Sequence, residues 1–216
     1  MSVASEEILR RVRAGLRDVP DAEQPGDIAV TRSYRRTGDA SADEILERFE
    51  QRVRDYHATV RRVAPDGIAA AVTEACRELG LSRVALPPGV PEPWRPEGVE
   101  LIEDDGLEPH ALDDINAALT GCAAGIAETG TIVLDGGETS GRRVLTLVPD
   151  HHICVVLADQ VVDLVAEGFA RVAPAVEGQG APITLVSGPS ASSDIELNRV
   201  EGVHGPRHLV VLTVAG

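Results

Sequence analysis

The apolar positions in the first third of the chain follow helical spacing. They recur every three or four residues, which is the pattern of an amphipathic helix. Ser5 is a typical N-cap residue, and Ser41 followed by Glu44 forms a capping box, so the sequence marks the starts of two helices. The pattern predicts helices over residues 5–18, 42–62 and 66–79.

After Gly80 the pattern changes to short apolar runs that are separated by turn-forming residues. Such runs are typical of buried strands. We predict strands over residues 83–86, 99–102, 152–157, 183–186 and 209–214, and two strands joined by a tight turn within 121–135. We predict helices over residues 111–119, 140–147 and 160–172, and one that begins at Asp194.

Short strands that alternate with helices indicate an α/β fold. Its sheet is expected to be mainly parallel and covered on both faces. We expect one folded unit with two parts, a helical region over residues 1–79 and an α/β domain over residues 80–216. The helical region is expected to pack on or beside the core. A chain of 216 residues buries enough surface to fold without a disulfide or a metal.

Composition and charge narrow the function classes. All 20 basic residues are arginine, which excludes Schiff-base lysine chemistry and a P-loop lysine. The net charge of −15 opposes nucleic acid and anionic membranes. The three cysteines form no C-x-x-C motif, so we expect buried, reduced thiols and no iron–sulfur cluster in this chain. The apolar runs are too short to cross a membrane and the first residues lack signal-peptide features, so we expect a cytoplasmic protein.

A carboxylate among small and apolar residues marks the first candidate site, over residues 127–131. Burial at this strand junction would raise the pKa of Glu128 and suit it to act as an acid, base or nucleophile. Gly130 permits a positive φ or the close approach of a ligand. The alternative is a simple turn in which Glu128 pairs with an arginine.

A Gly- and Ser-rich segment, residues 187–195, joins a predicted strand to a predicted helix. The free N–H groups and the dipole at a helix N-terminus suit a small anion. The alternative is plain capping of the helix by Ser192, Ser193 or Asp194.

Histidines supply further candidates. His204 lies between two glycines before the last strand, where it suits a general base or a donor to a carboxylate, unless its role is structural. His151 and His152 would point to opposite sides of a strand. Gly205 and Pro206 break any helix that would align His204 with His208, so these two histidines do not form a metal-binding face. His151 or His152 could still be a ligand, but we expect no metal site.

Arg142 and Arg143 follow a Gly-rich stretch, residues 136–141. That stretch is either a lid that carries an anion-binding arginine or an exposed turn.

Four segments in this order resemble the LUD-domain family: Ile126–Leu134, Val148–Val155, Gly188–Ser190 with Ser193–Glu196, and Gly202–Pro206. The resemblance covers about residues 80–216. It implies a three-layer α/β/α open sheet similar to the NagB/RpiA/CoA-transferase-like fold, here with an N-terminal helical extension. It also implies a role in oxidising L-lactate to pyruvate with two iron–sulfur partner proteins. The clusters would then lie on those partners, and this chain would hold no cofactor.

The leading hypothesis is therefore an accessory or substrate-handling subunit of a lactate-oxidising complex. Glu128 would be its acid or base, and His204 would orient the substrate or receive a proton. One alternative is a stand-alone enzyme of the CoA-transferase or phosphosugar-isomerase class that uses Glu128, and another is a module that senses an organic acid. A homo-oligomer is compatible with each. The expected cleft contains Glu128, Thr129, Gly130, Thr131, Gly188, Pro189, Ser190, Asp194, His204 and Gly205.

Overall fold

A computed structural model describes residues 3–20, 22–24, 27, 30–192, 200–202 and 204–215. Internal contacts group the chain into two compact units, Met1–Tyr34 and Arg35–Gly216. Asp194 and the helix predicted to begin there lie outside the described residues. None of the helices in the described ranges combines the length and apolarity that are needed to cross a membrane.

The described residues form both helices and strands. The helices are α1 (Val3–Gly15), α2 (Ala42–Asp55), α3 (Ile68–Glu78) and α4 (Val165–Gln179). The strands are β1 (Thr59–Val63), β2 (Arg83–Leu86), β3 (Glu100–Glu103), β4 (Ala117–Thr120), β5 (Ala124–Ile126), β6 (Thr131–Leu134), β7 (His151–Leu157), β8 (Val161–Val162), β9 (Thr184–Val186), β10 (Ala191–Ser192), β11 (Val200–Glu201) and β12 (His208–Val214).

The main sheet has six parallel strands in the order β1-β12-β7-β4-β2-β3. Two of its inner strands, β7 and β12, pair over seven residues, from His151 opposite His208 to Leu157 opposite Val214. Both strands are nearly continuous apolar runs, as expected of strands that are covered on both faces. The α/β class with a mainly parallel sheet flanked by helices is therefore confirmed.

A second sheet of four strands, in the order β8-β5-β6-β9, lies over one face of the main sheet. Its β5 and β6 pair antiparallel across a tight turn, which confirms the hairpin predicted within 121–135. Residues of α2, the hairpin and the main sheet share one apolar core, and Phe49 of α2 is fully buried in it. Helix α4 packs on the other side of the hairpin, and α3 covers the opposite face of the main sheet.

The predicted helix over residues 42–62 is too long. It ends at Asp55, and His57 follows with a φ of 67°. Residues 59–63 then form β1 at the edge of the main sheet, where β-branched Thr59 and Val60 suit a strand. The region 1–79 is therefore not all helical, and the boundary that we predicted at residue 80 lies inside the unit Arg35–Gly216.

Three other predicted helices were wrong in type or position. Residues 109–112 form a 3-10 turn and 117–120 form β4, which replaces the helix predicted over 111–119. Residues 143–146 also form only a 3-10 turn. The helix predicted over 160–172 starts later, at Val165, because residues 158–160 form a 3-10 turn and β8 follows. Buried apolar residues fit strands and helices equally well in segments this short.

Glu50 of α2 links this helix to the main sheet by hydrogen bonds. The residue is 5% exposed, and its carboxylate accepts hydrogen bonds from Arg62 Nε of β1 (2.9 Å) and from Thr213 Oγ1 of β12 (2.7 Å). Burial would raise the pKa of Glu50, but the hydrogen bonds from Arg62 and Thr213 outweigh it and hold the pKa below its ordinary value of 4.5.

In the unit Met1–Tyr34, helix α1 exposes its apolar side chains. None of its described residues is buried. On the polar face of α1, Glu7 forms ion pairs with Arg10 and Arg11, which lie one turn further along the helix.

We expect the substitution His57→Gly to stabilise the fold. A left-handed conformation costs about 1–2 kcal/mol for most L-residues, and glycine removes this cost but loses about 0.5–1 kcal/mol to its freer unfolded chain. The free energy of unfolding should rise by about 0.5–1 kcal/mol in urea titrations. His57→Ala is the matched control, because it keeps the Cβ atom; an equal gain in both variants would contradict this explanation.

We expect Glu50→Gln to lower the free energy of unfolding at pH 7 by about 1–3 kcal/mol, because Arg62 and Thr213 lose their charged acceptor. The folded-state pKa of Glu50 is lowered, so its contribution is complete above the ordinary value of 4.5 and is lost as the pH falls through the folded pKa. The gap between the wild type and the variant should therefore close in acid. Exposed Glu47→Gln is the control, and a gap independent of pH would contradict the assignment.

Candidate functional site

A cleft of about 230 Å³ opens at the amino ends of β7 and β12. His152 and Leu209, which are register partners on these two strands, both line it. The cleft lies beside the carboxyl end of β9, which belongs to the second sheet. The other lining residues come from three segments, 143–146, 184–190 and 204–206.

Hydrogen bonds join two of these segments, which are far apart in sequence. The Ser190 N–H donates to the carbonyl oxygen of Pro206 at 2.8 Å. The Ser190 hydroxyl accepts from the His204 N–H at 3.0 Å. Five residues predicted for the site therefore line one cleft: Gly188, Pro189, Ser190, His204 and Gly205.

Gly188 brings its loop against the end of α2. Its φ is 87°, and a Cβ atom at this position would lie 2.5 Å from the Tyr56 Cβ. A larger residue would therefore need both an unfavourable backbone conformation and space that Tyr56 occupies. The glycine allows the wall of the cleft to lie directly on the helix.

Arg143 supplies positive charge to the cleft. Its Nη1 donates to the Thr146 carbonyl oxygen at 2.7 Å and to the Thr146 hydroxyl at 2.9 Å. Its Nη2 donates to the His204 carbonyl oxygen at 3.4 Å. The neighbouring Arg142 instead pairs with the buried carboxylate of Asp104, so only the second arginine of the pair lines the cleft.

His152 forms a buried part of the cleft lining. The residue is 1% exposed, and its Nε2 is hydrogen-bonded to Thr120 Oγ1 of β4 at 2.8 Å. This bond orients the imidazole ring by tying one nitrogen to a neighbouring strand.

Cys154 is buried next to His152, and Cys122 is buried next to Cys154. The three cysteines are free and buried, as predicted. Hydrogen bonding to Cys154, together with burial, raises the pKa of the Cys122 thiol. Hydrogen bonding from Cys122 and His152 lowers the pKa of Cys154. Neither thiol lines the cleft.

Glu128 is placed differently from our expectation. It lies in the turn between β5 and β6 and is exposed, so the burial that we expected there is not found. Its Oε2 accepts the Val165 N–H at 3.1 Å, at the first residue of α4. A carboxylate at this position accepts a hydrogen bond from a free N–H group of the first turn and interacts favourably with the positive end of the helix dipole. Glu128 is not among the residues that line the cleft.

The other residues of the turn reach the cleft indirectly. Thr129 Oγ1 is hydrogen-bonded to Thr131 Oγ1 at 2.7 Å, and Thr131 Oγ1 to Ser187 Oγ at 2.8 Å. Ser187 lines the cleft. Gly130 has the positive φ that we predicted, but its close neighbour is α2: an added Cβ atom would lie 2.6 Å from the Arg52 Cβ.

The site also contains residues that were not in the expected cleft. Thr146 and Thr120, the partner of His152, were not considered from the sequence, whereas Ser187, Arg143 and His152 were considered but not assigned to the cleft. The sequence identified Arg143 and His152 as polar residues of interest, but no local pattern separated them from their neighbours Arg142 and His151. Only the fold shows which member of each pair faces the cleft.

The charges around the cleft favour a small anion. None of the described lining residues is acidic, although the whole chain has a net charge of −15. Arg143 is the formally charged side chain in this lining, and His152 and His204 are the other titratable ones. Serine and threonine hydroxyls supply further hydrogen-bond donors.

Comparison with known proteins finds relatives of this chain in sequence and in structure. The LUD domain family model matches residues 46–214. The chain is 49% identical over 176 residues to lactate utilization protein C of Deinococcus radiodurans, which covers 81% of each chain. It is 26% identical to lactate utilization protein C of Bacillus licheniformis, over 94% of this chain and 89% of the relative.

A solved structure agrees with these matches. The crystal structure of a DUF162 family protein from Deinococcus radiodurans superposes with a TM-score of 0.71 at 40% sequence identity. The match covers 82% of this chain and 100% of that one. The family match spans the main sheet, the second sheet and the described part of the cleft. The chain therefore belongs to the LUD-domain family.

Proposed function

We propose that this chain is a substrate-handling subunit in the oxidation of L-lactate to pyruvate and that it acts with iron–sulfur partner proteins. Relatives named lactate utilization protein C support a role in lactate utilization. The observation that carries the more specific proposal is the cleft, where Arg143 and several hydroxyl groups meet without an acidic neighbour in the described lining.

The cleft offers a complete set of partners for a small 2-hydroxy acid. A guanidinium pairs well with a carboxylate, so Arg143 would bind the carboxylate of lactate. The Ser190 oxygen accepts the His204 N–H, which leaves its own O–H free to donate to the substrate. Ser187 would add a second hydroxyl contact.

His204 is the proposed proton acceptor. Oxidation of L-lactate to pyruvate breaks the O–H bond of the hydroxyl group and the C–H bond of the carbon that bears it, and it releases two protons and two electrons. His204 would take the hydroxyl proton, the proton from the C–H bond would leave to solvent, and both electrons would leave the substrate. A histidine at the edge of the cleft suits the transfer of the hydroxyl proton. His152, held by Thr120, would position the substrate from the buried side.

The electrons would pass to a partner. The three cysteines are buried and do not have the spacing of a cluster-binding motif. We therefore propose that this chain contributes no redox cofactor and that iron–sulfur clusters of its partners accept the electrons.

The two alternatives gain less from the structure. A CoA-transferase or isomerase mechanism that uses Glu128 has no support from its exposed position at the start of α4. A sensor of organic acids would use the same cleft as the proposed subunit. The two differ in the assembled complex: lactate oxidation would require the cleft of the proposed subunit but not the cleft of a sensor.

Arg143→Gln should weaken the binding of lactate and pyruvate by about 10- to 150-fold, which corresponds to a lost charged hydrogen bond of about 1.5–3 kcal/mol. Titration calorimetry on the full chain, or on its complex with the co-purified partners, measures this. Arg77→Gln, at an exposed position of α3, is the matched control for loss of one positive charge. Equal affinity in all three proteins would remove Arg143 from the site.

We expect the chain to co-purify with iron–sulfur proteins from lactate-grown cells and the reconstituted complex to oxidise lactate. His204→Ala should lower kcat by about 10²–10⁴-fold, the range of a lost acid–base group. Glu128→Gln should oxidise lactate at close to the wild-type rate, because Glu128 does not line the cleft. Isolation of an iron-free homo-oligomer would contradict the proposed complex, and full activity of His204→Ala would exclude this histidine as the base.

A further inference from the structure

A group of metal-ligating side chains lies outside the cleft, at the amino edge of the main sheet. Among the residues that the structure describes, Asp150, His151 and His208 bring one ligand atom each within 4.8 Å of one another. Asp150 immediately precedes β7, and the two histidines are the first residues of β7 and β12.

The parallel register creates this group. His151 and His208 are direct partners, so their side chains leave the sheet on the same face. Their rings lie 4.6 Å apart with an angle of 19° between the planes. The His208 N–H donates to the Asp150 carbonyl oxygen at 3.2 Å, which holds Asp150 beside both rings.

His151 is oriented as metal-binding histidines usually are. Its Nδ1 lies 3.2 Å from the carbonyl oxygen of Asn116, which can only accept, so Nδ1 carries the hydrogen and Nε2 keeps its lone pair.

The group is separate from the cleft but open to solvent. His152 points to the cleft, and the adjacent His151 points to the opposite face of the strand. Asp150 and Arg207 line a second cavity of about 570 Å³, which adjoins the cleft through His204 and Gly205 and gives an ion a path to this edge.

Two local movements would complete the site. Two nearly parallel stacked rings cannot direct their lone pairs at one ion, so the exposed His208 ring must turn out of the stack. The Asp150 carboxylate must leave Arg207 Nε, which lies 2.6 Å away in a pair whose side chains are 39% and 58% exposed. Exposed ion pairs of this kind are weak and are easily exchanged.

We propose that Asp150, His151 and His208 bind one divalent transition-metal ion of the Zn²⁺ type. Two imidazole nitrogens and one carboxylate are a ligand set that zinc accepts, and they leave a fourth position for water or a bound anion. Sequence reasoning expected no metal site here, because His208 reaches His151 only through the pairing of β12 with β7.

The test uses the full chain without an affinity tag, treated with a chelator and titrated with Zn²⁺ alone in competition with a colorimetric chelator. We expect one ion per chain. His208→Gln and Asp150→Asn should each weaken binding at least about tenfold. The His110→Ala control removes an exposed histidine outside this group and should leave the affinity unchanged.

Substitution with Co²⁺ identifies the ligands independently. Nitrogen and oxygen ligands give visible d–d bands without a thiolate-to-cobalt charge-transfer band, and these bands should disappear in His151→Ala. If circular dichroism shows that His151→Ala does not fold, the same measurement is made on His208→Gln, because His208 is exposed. A thiolate band, wild-type affinity in His208→Gln, or no Zn²⁺ binding by the wild type would overturn the proposal.

Discussion

The parallel pairing of β7 with β12 is the constraint on which the rest of this structure depends. It joins residues that are 57 positions apart in sequence over seven consecutive pairs, and it buries both strands between α3 on one face and α2 with the second sheet on the other. Because side chains of a strand alternate between the two faces, this register also decides which polar residues at the strand ends meet. A shift of one residue would exchange His151 and His152 with respect to the cleft.

The second sheet supplies one wall of the cleft on this scaffold. Its hairpin packs on α2 through Gly130 and Phe49, and the hydroxyl chain from Thr129 through Thr131 ends at Ser187 in the wall of the cleft. Glu50 holds the same helix to the two strands at the edge of the main sheet. The cleft therefore depends on packing between two sheets, although its polar residues lie in connecting segments, where functional residues are commonly found.

The amino edge of the main sheet presents two different chemical surfaces. On one side, Arg143 and hydroxyl groups form a positively charged cleft in a chain whose net charge is −15. On the other side, His151, His208 and Asp150 bring two imidazole rings and one carboxylate together, which is a set that suits a cation. His152 belongs to the first surface and the adjacent His151 to the second, so a single strand end contributes to both.

The sequence by itself determined the α/β class, the strands β2, β7, β9 and β12, the β5–β6 hairpin and the capping box at Ser41, because these follow from local periodicity and from hydrogen bonds within a few residues. It also grouped Gly188, Ser190 and His204, which line one cleft in the structure. Only the tertiary structure decided that residues 59–63 pair as an edge strand, that Glu128 caps α4 outside the cleft, and that Arg143 and His152 line it. These outcomes depend on contacts between segments that are distant in the chain, and neither propensity nor spacing records such contacts.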